Sequence, residues 1–144
     1  MKIPDESDWG EIDANDLDAN HAFTQFFGKS FQEAKALFQS NALFYQEDLQ
    51  SMPRAVFNFY APALVEYLKS EKSKGDSDGA SSFLHMFLSI LKANTEIISE
   101  ETKKLFLDTS ASIAQNQRFY DADIDIYGRF FELFEEIKAL IDCT

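Results

Sequence analysis

The chain of 144 residues carries 25 Asp and Glu against 13 Lys and Arg, a formal net charge of −12, yet it is 45% hydrophobic and holds 15 Phe. The apolar content excludes wholesale disorder. The acid excess repels polyanions, which argues against DNA, RNA and anionic membranes as partners, and a lone cysteine, Cys143, rules out an intramolecular disulfide.

This length suits one domain that buries its core without metal or cross-link. The opening Met1-Lys2-Ile3-Pro4 lacks the apolar stretch a signal peptide needs. No run approaches the ~18 apolar residues of a membrane span, so a reducing, cytoplasmic setting is the expectation. Phe has no polar handle, and burying each one contributes roughly 1.5–3 kcal/mol. Many facing apolar surfaces are therefore required, and any Phe left outside marks a contact surface.

Residues 1–13 hold Asp5, Glu6, Asp8, Glu11 and Asp13 against one Lys, and read as an extended or loosely docked acidic arm pinned by Trp9. A first helix is predicted from about Asp13 to Phe27, with Leu17, Ala22, Phe23, Phe26 and Phe27 apolar and Gly28 as its stop. Ser30 and Glu33 have the capping-box spacing and open the second helix, whose face is Ala34, Leu37 and Phe38. Asn41 either interrupts it or lets it run on through Leu43, Phe44 and Leu49.

Pro53 ends that segment and suits the start of a third helix, with Phe57, Tyr60, Ala61, Leu64 and Leu68 inward. Pro62 lies inside the third helix, removes the bond to the Asn58 carbonyl and predicts a kink or split. Residues 69–77 form a polar loop, and Asp76 or Ser77 caps the fourth helix. That helix has the cleanest stripe, Phe83, Met86, Phe87, Ile90 and Leu91, widened by Leu84 and Leu88, and should be central.

Ser99 begins a fifth helix, with Glu100 and Glu101 complementing its dipole and Leu105, Phe106, Thr109, Ile113 and Asn116 inward. Asp121 to Asp125 is an acidic joint, and a last helix spans about Ile124 to Ile141. The fold class is all-α, a single compact array of about six helices. No fixed 34- or 40-residue period recurs, so a solenoid is not supported.

Few motifs carry chemistry. Gly28-Lys29-Ser30 resembles the end of a phosphate loop but lacks the earlier glycine and the strand, so helix stop plus helix cap explains it. Asp121, Asp123, Asp125 and Glu132 have the spacing of positions 1, 3, 5 and 12 of a calcium loop, but Ile126 stands where a sharply turning glycine is required. Asp18 and His21 are half of a di-metal helix motif whose other half is missing. Glu47 or Asp48 is positioned to pair with Arg54 across a helix junction.

Without a catalytic signature, the leading expectation is a non-catalytic acidic module that binds a basic protein, with no cofactor. An inhibitor or immunity-type protein that sets carboxylates where its partner expects phosphates is the concrete form. The arm from Asp5 to Asp18, with Asp5, Glu6, Asp8, Trp9 and Glu11, and the cluster Asp121, Asp123 and Asp125 are its candidate contacts. Two alternatives come from other classes: an enzyme using metal or carboxylates inside the bundle, and a homodimer joined by surplus aromatics.

Overall fold

Helix starts follow their caps. Asp5, Asp16, Ser30, Asp76, Ser99 and Asp123 each offer a side-chain oxygen to a first-turn N–H. The computed structural model describes residues 2–143. It contains α1 (Glu6–Trp9), α2 (Leu17–Phe26), α3 (Phe31–Leu49), α4 (Arg54–Leu68), α5 (Ser77–Ala93), α6 (Glu100–Gln115), α7 (Ile124–Tyr127) and α8 (Phe130–Asp142). Two 3-10 turns, Glu71–Ser73 and Thr95–Ile97, sit between them, and no strand occurs among the described residues. Six helices span more than two turns, so the array is all-α as its periodicities require.

α4 lies at the centre, packed by α1, α3, α6 and both 3-10 turns. α5 shares that position against α3, α6 and α8. Phe106 of α6 joins the two: its ring meets Phe83 at 4.8 Å, Phe87 at 5.3 Å and Phe57 at 6.0 Å, all edge-on. A second aromatic group joins α2, α3 and α4, where Phe26 lies 5.7 Å from Phe38 and 5.2 Å from Tyr60. Tyr60 Oη sits 2.9 Å from the Phe26 carbonyl and 2.8 Å from that of Lys29, which fixes the α2–α3 turn. Burial pushes this phenol up to about 12.

Two readings left open by the sequence, the arm and Asn41, are decided, and two local expectations change. The arm is not extended: Asp5 and Asp8 form a reciprocal capping box, and Trp9, 3% exposed, meets Phe23 edge-on at 5.2 Å. The helix after the arm starts at Leu17 rather than Asp13, because Asp16 accepts the Ala19 N–H. Asn41 leaves helical geometry (φ −166°, ψ 84°) and its Oδ1 accepts from Phe44 N, so α3 breaks there and restarts at once. Pro62 does not split α4, whose backbone stays helical because nearly every side of it is packed.

The last helix also divides. Gly128 takes φ 73°, a conformation open to glycine, and separates α7 from α8. Gln117 holds the break: its Nε2 donates to the carbonyls of Ala122 and Gly128, and its Oε1 accepts from Phe130 N. The polar loop after α4 is tied down as well, since the buried Ser73 hydroxyl lies 2.9 Å from the Leu68 carbonyl. Phe106 sits at a junction that cannot collapse onto one neighbour. Phe106→Ala should therefore cost about 3–5 kcal/mol in urea unfolding, whereas Phe131→Ala, at a ring 57% exposed, should stay within about 0.5 kcal/mol.

Candidate functional site

Docking of Trp9 decides where the acids go. α1 packs against α4, and after Gly10 short local bonds fold the chain against α2. The Asp13 carbonyl accepts from Asp16 N and from Asn20 Nδ2, and Asp13 Oδ1 accepts from Asn15 N. Glu11, Asp13, Asp16 and Asp18 thereby line one wall of a groove of about 690 Å³. Residues 50–54, between α3 and α4, and the turn with Asn94, Glu96 and Ile97 form the remainder.

Five carboxylates face this groove and one guanidinium, that of Arg54. All five are exposed to water. Arg54 is committed elsewhere, since its Nη1 donates to the carbonyls of Glu96 at 2.6 Å and Ile98 at 3.2 Å. The expected pairing of Arg54 with Glu47 or Asp48 is therefore absent. Arg54 reaches forward to the 3-10 turn before α6, while Asp48 turns toward α2.

Asp48 instead meets His21, whose Nδ1 lies 2.6 Å from Asp48 Oδ1. The Asp48 side chain is 5% exposed and that of His21 44%, so the imidazole bridges a buried anion to water. Desolvation holds the Asp48 carboxyl above its usual range, opposed by the bond to His21 and its charge, with Glu47 and Asp18 adding to the rise. Asp48 Oδ2 has no hydrogen-bond partner.

A second, smaller groove of about 300 Å³ lies between α3 and α5. Glu47, Gln50, Ser82, His85 and Ser89 give it polar edges, with Leu43 and Met86 beside them. Gln46, 2% exposed, lies at its floor. Gln50 lines both grooves, so the two adjoin.

The sequence-derived candidates separate. Trp9 and Glu11 line the large groove, and Glu6 lines a neighbouring hollow beside Phe23. Asp5 and Asp8 are committed to the cap of α1, and Asp5 also pairs with Lys2 at 2.9 Å, which lowers its carboxyl below the usual range. Asp121, Asp123 and Asp125 lie beyond the far end of α4, where Tyr120 Oη bonds the Leu68 carbonyl at 2.6 Å. The length of α4, roughly 22 Å, parts them from the groove.

Among the described residues, no three His, Cys, Asp or Glu gather into a group that could hold a metal ion. The calcium-loop spacing is thus not realised: Asp123 caps α7, and Glu132 follows the break at Gly128 on α8. Sequence reasoning missed Gln46, Gln50 and Glu96. For Gln46 a signal existed: it continues the buried four-residue spacing Ala34, Phe38, Ala42, where a polar residue is out of place. Comparison with protein-family models, curated proteins and solved structures finds no match.

The His21–Asp48 pair sets a pH dependence. Because the folded protein binds the Asp48 proton more tightly than the unfolded chain, this group's contribution is complete below its unfolded pKa of about 3.9 and is lost as pH rises through the folded value. His21→Ala removes both lowering causes and should raise the Asp48 carboxyl further, measured by carboxyl carbon NMR. It should cost about 1–3 kcal/mol at neutral pH in urea unfolding, the penalty of a stranded buried acceptor.

Proposed function

We propose that the chain is a non-catalytic protein-binding module that masks a cationic segment of a basic partner, as an inhibitor or immunity-type protein does. The observation that carries this reading is the large groove: five exposed carboxylates face a space of about 690 Å³ whose one guanidinium is held by backbone carbonyls. A cationic segment entering it replaces mutual repulsion of the lining acids with attraction, and the field of the acidic protein raises the encounter rate. Asp13 and Asp16 are locked by bonds to backbone N–H groups, so two of the charges are preorganised. Lining carboxylates that lie open to water favour binding over proton transfer, which draws on buried acids.

Charge alone attracts any cation, so the test compares two variants that each remove four negative charges. One alters the groove (Glu11→Gln, Asp13→Asn, Asp16→Asn, Asp18→Asn), and the other the remote cluster (Asp121→Asn, Asp123→Asn, Asp125→Asn, Glu132→Gln). Asn preserves the caps at Asp16 and Asp123. With a hexalysine peptide as probe in calorimetry, the groove variant should bind roughly tenfold more weakly, about 1.4 kcal/mol, and the remote variant should stay near wild type. Wild-type binding should also weaken as salt rises. Equal losses in the two variants, or binding indifferent to salt, would overturn the reading.

A further inference from the structure

Leu17 is the most exposed large apolar side chain among the described residues, 77% open to water, although it begins the amphipathic helix α2. His21 follows it by one helical turn on the same face. The His21 ring meets Phe44 of α3 edge-on at 5.5 Å, and Phe44 is itself 45% exposed. Leu43 beside it is exposed as well, and Glu47 lies one turn on from both. Single exposed apolar residues are ordinary. Here Leu17 and Phe44 flank one imidazole where α2 meets α3, and Leu43 extends the patch along α3.

The segments that carry this patch hold no cation: residues 11–28 and 36–53 contain no Lys or Arg. Asp16 and Asp18, on either side of Leu17 in sequence, line the acidic groove, so patch and groove are continuous. We propose that the partner's cationic segment carries one large apolar side chain, aromatic or leucine-like, that covers Leu17 and Phe44 across His21 while its neighbouring cations lie along Asp16 and Asp18. The proposal rests on the acidic groove as the partner-binding surface and adds what that partner must bring besides charge. A second copy of this chain fits the patch poorly, because it would set Asp16, Asp18 and Glu47 against their own like charges.

Exposed carboxylates attract any polycation and select weakly at short range. Apolar contact supplies the selection, because covering Leu17 and Phe44 removes hydrocarbon surface from water. Both side chains are open to water as they stand, so a partner reaches them without opening a helix. Phe44 is braced edge-on by His21 and by Tyr45 at 5.0 Å, which lowers the cost of ordering its ring on binding. An aromatic guest adds an edge or stacking contact with that ring.

The test titrates the protein at low salt with three peptides of equal charge: hexalysine with Phe added at its N-terminus, with Phe added at its C-terminus, and with Gly in place of Phe. Phe at one of the two ends should tighten binding about tenfold over the Gly control, about 1.4 kcal/mol, and shift the Leu17 methyl resonances of labelled protein. Leu17→Ser combined with Phe44→Ser should abolish the gain and leave affinity for the Gly control unchanged. Should the double variant unfold, Leu17→Ser alone serves instead and should cut the gain to under about threefold. No gain from Phe at either end, or a gain that survives the substitutions, with hexalysine binding intact, overturns the apolar subsite and leaves the acidic groove standing. A wild-type dimer in sedimentation that Leu17→Ser dissociates assigns the patch to a second copy and overturns it too. A wild type that does not bind hexalysine overturns both.

Discussion

Burial of α4 on nearly every side is the constraint that governs the array. Ten of its side chains are buried, and Glu66, paired with Lys35 of α3, is the one carboxylate along its length. At its start the arm docks by Trp9 against Phe23, and the acids between Gly10 and α2 face the α3–α4 junction. At its end the Tyr120 hydroxyl bonds the Leu68 carbonyl, Tyr67 bonds Asp76, and the second acidic cluster comes next. Two acidic clusters thus lie near opposite ends of α4, and the one at its start bounds the groove of about 690 Å³.

The helices were legible because their caps and stripes agreed. Ser30 with Glu33, Asp76 and Ser99 lie where a local rule places them, and the inward faces of α4, α5 and α6 keep helical spacing. The misreadings arose where local propensity met a tertiary constraint. Pro62 lacks its hydrogen bond, yet packing around α4 keeps the helix whole. Residues 124–141 look like one amphipathic helix, yet Gly128 and the three bonds of Gln117 break it. A side chain that stitches a joint eleven residues away leaves no periodic trace.

The site was legible only in part. An acid-rich arm can be read from composition, but the partner wall cannot. Glu96 reaches the groove because Arg54 draws the turn before α6 toward α4, with Asn58 also bonding the Ile97 carbonyl and Ser99 N. Asp48 pairs with His21 across 27 positions of chain rather than with the nearby Arg54. Both facts depend on helix crossings that no spacing rule contains.

Polar dissatisfaction is concentrated rather than scattered. The described residues hold three buried side-chain atoms without a partner: Trp9 Nε1, Gln46 Oε1 and Asp48 Oδ2. Trp9 lines the acidic groove, Gln46 floors its neighbour, and Asp48 sits on the α3 turn between Glu47 and the groove residue Gln50. Each unpaired group costs folding energy that an apolar side chain would not. Elsewhere the same chain satisfies its buried hydroxyls, as Ser73, Thr109 and Ser110 do on nearby carbonyls. The core thus satisfies its polar groups away from the grooves and leaves three unmet on residues at or beside them, each atom enclosed by protein.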